Sequence, residues 1–121
     1  MLKLAVLAAL ALPSVALAQE ATDHSGMAME GPMAELIAPM HAMMDAMPTG
    51  STGLPDADFL LMMIPHHQSA VDMARVQLEQ GESDEIKALA QTIMDQQEVE
   101  IADMRAMLER MGVEPPPAPA E

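Results

Sequence analysis

Between Asp56 and Met111 an apolar repeat of helical period is interrupted once, at Gly81-Glu82. So short a connection makes the long segments on its two sides fold back on each other, and an antiparallel helical hairpin is predicted. The first segment, Asp56 to Gln80, opens with an aspartate cap and closes at Gly81. The second, Ser83 to Met111, has Ser83 as its N-cap and Asp84 and Glu85 in its first turn. Arg105 and Arg110 lie toward its C-terminus, where the macrodipole favours cations, and Gly112 ends it. A shorter segment upstream, Met33 to Met47, carries Pro39 in its interior and is expected to be a broken helix at best. No stretch combines strand-like alternation with turn punctuation, so the class is all-α: a two-helix hairpin plus a short N-terminal helix.

The ends read differently. Lys3, the apolar run Leu4 to Leu12 and the small-x-small site Ala16-Leu17-Ala18 form a secretory signal over residues 1–18. Its apolar run is too short for a bilayer span, which needs about 20 residues. The mature chain is expected to be periplasmic or secreted, with no membrane span after cleavage. Residues 19–32 form a flexible tail containing His24, Met27 and Met29, and the ordered domain is placed at 33–112. Residues 113–121, with Pro115-Pro116-Pro117 and Pro119, are expected to be an extended, disordered tail.

Charge and composition remove whole function classes. With 19 acidic and 5 basic residues the formal charge is −14, which excludes nucleic-acid binding. The absence of cysteine excludes disulfides, iron–sulfur and blue-copper centres, thiolate zinc sites and a thiol nucleophile. Side-chain volume comes from 15 methionines in place of aromatics, of which there is one, Phe59.

On the first long segment, one helical face carries Phe59, Leu60, Met63, His66, His67, Ala70, Met73, Ala74 and Leu78. The matching stripe on the second is Ile86, Ala90, Ile93, Met94, Gln97, Ile101, Met104, Leu108 and Met111. With the turn centred at Gly81-Glu82, residues whose numbers sum to about 163 face one another, to within one turn. His66 and His67 then lie level with Gln97 and Gln96, and Met63 with Glu100. Polar interruptions of the two stripes therefore coincide, and such groups must satisfy one another, meet water or hold a ligand. Pro65 frees a carbonyl, that of Leu61, within a turn of the histidines; the stripe keeps its phase across it, so a kinked helix is expected rather than one starting at Pro65.

The run Asp56-x-Asp58-Phe59-Leu60-x-Met62-Met63-Ile64-Pro65-His66-His67-x-x-Ala70-Val71-x-Met73-Ala74 resembles the signature of the family called domain of unknown function 305. Ile86, Leu89-Ala90, Ile93, Gln97, Glu100-Ile101, Met104 and Leu108 are similar to its final helix, and Met40-His41-x-x-Met44 to its first-helix element. The resemblance covers about residues 38–111. It implies a ferritin-like all-helical domain, an exported location and, as in CopM-like members, periplasmic copper binding or copper tolerance.

The donor chemistry points to the same metal. Thioether sulfur is a soft neutral ligand for Cu(I) or Ag(I), and imidazole suits copper in both oxidation states. The expected ligands are Met63, His66, His67 and Met104, with His41 and Met44 closing the site and Met40 and Met73 as further candidates. Gln97 and Glu100 are expected to orient the imidazoles. Met94, Met107 and Met111 read as core filler.

The predicted role is sequestration or transfer of copper without catalytic turnover, with copper ions and a periplasmic donor or acceptor protein as partners. The alternatives are a methionine-rich interaction or chaperone-like module, a sacrificial oxidant sink, and a ferritin-like oxidoreductase. The last lacks its Glu-x-x-His pairs. A homodimer completing a four-helix bundle is expected, because about 80 ordered residues bury too little surface alone.

Overall fold

The computed structural model describes residues 30–118. They form three helices, α1 (Pro32–Ala46), α2 (Pro55–Gln80) and α3 (Asp84–Arg110), with no strand among the described residues. α2 and α3 make the expected hairpin. α1 packs on α2 and has no contact with α3, so α2 is the central element.

α1 is a continuous helix rather than a broken one. Pro32 occupies its first turn, where a missing N–H costs nothing, and Pro39 lies inside it. Pro39, Ala42, Met43 and Ala46 line a cleft against Ile64, Pro65 and Ser69 of α2. That packing offsets the hydrogen bond the interior proline removes.

The start of α2 also departs from expectation. Its N-cap is Leu54, with no side-chain cap and Pro55 as the first helical residue; Asp56 does not cap it. The connection is held instead by Asp58, whose carboxylate accepts from the Ser51 hydroxyl and from the Thr52 N–H and hydroxyl, both at 2.7 Å. These bonds, Ser51 foremost, hold the Asp58 carboxyl below its ordinary value against a small opposing effect of desolvation. α2 then runs through Pro65 as one helix.

The hairpin turn needs glycine for space rather than for conformation. Gly81 has φ −66°, which any residue adopts, but a Cβ there would lie 2.5 Å from the Gln77 carbonyl oxygen. Ser83 caps α3 by accepting from the Ile86 N–H at 3.4 Å. At the other end Gly112, at φ 71°, gives a Schellman stop: Val113 N–H donates to Leu108 C=O and Gly112 N–H to Glu109 C=O, both at 3.0 Å. Val113 then packs against the core, the apolar contact that accompanies this motif. The proline segment follows, described as far as residue 118. Arg105 donates to the Pro116 carbonyl at 2.7 Å and the Pro117 carbonyl at 3.3 Å, drawing it back along α3.

The core joins Ala57, Leu60, Ile64 and Val71 of α2 to Ile101, Met104 and Leu108 of α3. The α3 stripe has the expected phase, whereas the buried sector of α2 is rotated. Ile64 and Val71, outside the expected stripe, are 3% and 1% exposed, and Phe59, within it, is 61% exposed. The cause is that α1 and α3 grip α2 from two sides, so its buried sector lies between them. Met107 and Met111, expected as filler, are exposed; Met94 does pack against the core.

Candidate metal centre

Proline and two histidines occupy the middle of α2, a position that gives the rings a rigid support. Pro65 is buried, His66 is exposed and His67 is half-buried. The two imidazole centroids are 6.2 Å apart with planes inclined at 60°.

His67 is held at both nitrogens. Nδ1 lies 3.0 Å from the Met63 carbonyl oxygen, one turn back on the same helix, and Nε2 lies 2.7 Å from Oε2 of Glu100 on α3. Both partners are acceptors. A neutral ring carries one N–H and can donate to only one of them, so satisfying both requires a second proton or a cation at Nε2. With the Nδ1 proton on the Met63 carbonyl, the Nε2 lone pair is directed toward Glu100, the orientation in which a histidine presents itself to a metal. The ring is 12% exposed and the carboxylate 57% exposed. An ion pair that open to solvent contributes at most about 1 kcal/mol to stability, so folding alone is a weak reason for it.

Glu100 therefore contacts the His67 ring directly across the hairpin. The pairing is offset by about a turn from the expected opposition of His67 and Gln96. In a helix each side chain leans toward its own N-terminus, and in an antiparallel pair these two lean toward each other, closing the offset. The i to i+4 contact with the Met63 carbonyl is local helix geometry and was open to reading from the spacing alone.

The remaining candidates are dispersed. Met63 is half-buried against the core, and Met104, 8% exposed, is a core member packed among Ile101 and Leu108. Met73 lines a hollow between α2 and α3 with Ala70, Ala74 and Leu89. Gln97 is half-buried on α3. His41, Met40 and Met44 are exposed on α1, and it is Pro39, Ala42, Met43 and Ala46 of that helix that face α2. That lining sets α1 on the Pro65 side of α2. Among the described residues no three His, Asp or Glu side chains gather as a ready metal site. His24, Met27 and Met29, and residues 1–18 with the expected secretory signal, lie outside the described residues.

Fold and site together define an all-helical hairpin with one exposed and one half-buried imidazole and a cross-helix carboxylate at mid-length. No described helix is long and apolar enough to cross a membrane. A family model for Domain of unknown function (DUF305) matches residues 5–108, and the chain belongs to that family. Comparison with curated proteins and with solved structures gives no significant match.

Proposed function

We propose that this chain is an exported copper-binding protein that sequesters or passes on Cu(I), without catalytic turnover. The observation that carries the reading is His67, whose Nδ1 is anchored on the Met63 carbonyl while Nε2 faces Glu100, with the exposed His66 ring beside it. An anchored imidazole, a second imidazole and a methionine-rich surround without thiolate favour copper over zinc, magnesium or calcium. His66 and His67 are the proposed imidazole donors, with Glu100 beside His67 and Met63 the nearest thioether in sequence. Ag(I) would bind in the same way. The resemblance to CopM-like members and the signal pattern at residues 1–18 support the periplasmic or secreted setting. There a copper donor or acceptor protein would be the exchange partner. The finer architecture we propose is a ferritin-like four-helix bundle formed when two hairpins pair.

Anaerobic Cu(I) titration against a competing chelator tests this. His66→Ala/His67→Ala should weaken binding by at least about tenfold, and Met63→Leu/Met104→Leu by less. Unchanged affinity in both double variants would remove the site. A second reading, a methionine-rich interaction module, is favoured by the exposed Met62, Met107 and Met111. Partner capture that persists under chelator would select it.

A further inference from the structure

Among the described residues nothing covers the side of the hairpin away from α1, and on α2 that side is a seam. Phe59, Met63, His66, Ala70, Met73 and Gln77 succeed one another at spacings of four and three, the repeat by which one helix packs along another. On α3 the same side presents Ile86, Leu89 and Ile93 at one end and Met107 and Met111 at the other, all between 36% and 55% exposed. His66 stands at the middle of this face, one residue before the His67 that pairs with Glu100, and Gln77, Asp56 and Arg110 border its two ends. Flanking that middle are two hollows. One, of about 240 Å³, is floored by Ala70, Ala74 and Ala90 between Met73 and Leu89; the other lies beside Phe59, Met107 and Met111.

We propose that a second copy of this chain docks on this face across a two-fold axis that crosses α2 at His66, so that one metal centre is shared by both copies. The face is self-complementary about that axis. Phe59, the largest exposed apolar side chain, lies two turns before His66, and Met73 lies two turns after it. Rotation about the axis sets Phe59 of each copy into the alanine-floored hollow of the other, a closed isologous contact that buries both apolar ends at once. A face roughly 30 Å long and two helices wide presents on the order of 800 Å² of accessible surface, which is what each side of a standard stable interface buries.

The axis also completes the site. One chain gathers no three His, Asp or Glu donors among its described residues. Pairing brings the two exposed His66 rings together, with a His67–Glu100 pair at each side. This metal-sharing part rests on the copper reading above; the docking face does not.

The test is sedimentation of the metal-free protein at micromolar concentration, followed by copper titration, for the wild type and Phe59→Glu. Phe59 is exposed, so the variant should keep its helix content by circular dichroism. The expected result is a dimer under chelator, at least about tenfold weaker pairing in Phe59→Glu, and one tightly held Cu(I) per two chains, lost in the variant although every donor remains. A monomeric wild type overturns the proposal while leaving copper binding to be read separately. A Phe59→Glu dimer as tight as wild type overturns the placement of the face. Full copper uptake by a monomeric Phe59→Glu overturns the shared centre. A dimer that takes up no copper overturns the copper reading, and the shared centre with it, and leaves the docking face standing.

Discussion

His67 on α2 and Glu100 on α3 meet at 2.7 Å, nitrogen to carboxylate oxygen, while the other ring nitrogen is already bound to the carbonyl of Met63. The ring is thus fixed in orientation by its own helix and charged with a partner by the next. This relationship follows from helix geometry: a residue four positions back supplies the carbonyl, and antiparallel packing tips the two side chains together.

A buried group on the opposite side of α2 gives the first prediction. Ser69 is 4% exposed and among the described residues its hydroxyl has no hydrogen-bond partner, so it carries a desolvation cost with no return. Ser69→Ala should leave stability unchanged or raise it by up to about 1 kcal/mol. Urea unfolding measures this; a loss of stability on that substitution would show that the hydroxyl is satisfied in solution.

The connection before α2 should make stability depend on acid. Asp58 has its carboxyl lowered from 3.8 by the Ser51 and Thr52 bonds, so the folded state favours its ionised form. Its contribution is therefore complete above the unfolded value and is lost as pH falls through the lower folded value. Asp58→Ala should melt below the wild type at pH 7, and the gap should close as the pH is taken well below 4. A gap of equal size at both pH values would remove the assignment.

Gly81 is predicted to be intolerant of any side chain. A Cβ would come within 2.5 Å of the Gln77 carbonyl oxygen, which belongs to the backbone and cannot swing aside. Gly81→Ala should destabilise by about 1–3 kcal/mol, whereas the same change at Gly50, where nothing lies near, should not. Denaturant midpoints of the two variants decide it. Equal midpoints would mean that the turn relaxes freely.

Much of this fold was legible because its signals are local. The Ser83 cap, the Gly112 stop and the short Gly81 connection each act within a few residues, and the end of α2 and both ends of α3 are where those signals place them. What the sequence could not rank was competition between partners for α2. Periodicity identified an apolar stripe through Phe59, Met63 and His66, but Ile64 and Val71 won burial because α1 and α3 together enclose their side. Pro39 was read as a breaker, since packing against Pro65 and Ile64 is invisible in a propensity argument. Asp56 was read as the cap when Asp58 holds the connection, because the reach back to Ser51 and Thr52 depends on a loop path.

At the candidate site, the histidine pair stands out from the coinciding interruptions of two apolar stripes at His66, His67 and Gln97, whereas that register sets Glu100 level with Met63 rather than with His67. The register error of one turn hid their direct contact. His41, Met40 and Met44 were grouped with them by donor type and by the His-x-x-Met spacing, and all three are exposed on α1.

The most direct test of the central claim is the long-range proton–nitrogen spectrum of the histidine rings before and after one equivalent of Ag(I), a diamagnetic stand-in for Cu(I). The account predicts that Nε2 of His67 and one nitrogen of His66 shift together, that Nδ1 of His67 keeps its proton on the Met63 carbonyl, and that His41 does not move. Silver that shifts His41 while leaving both His66 and His67 unchanged would contradict it.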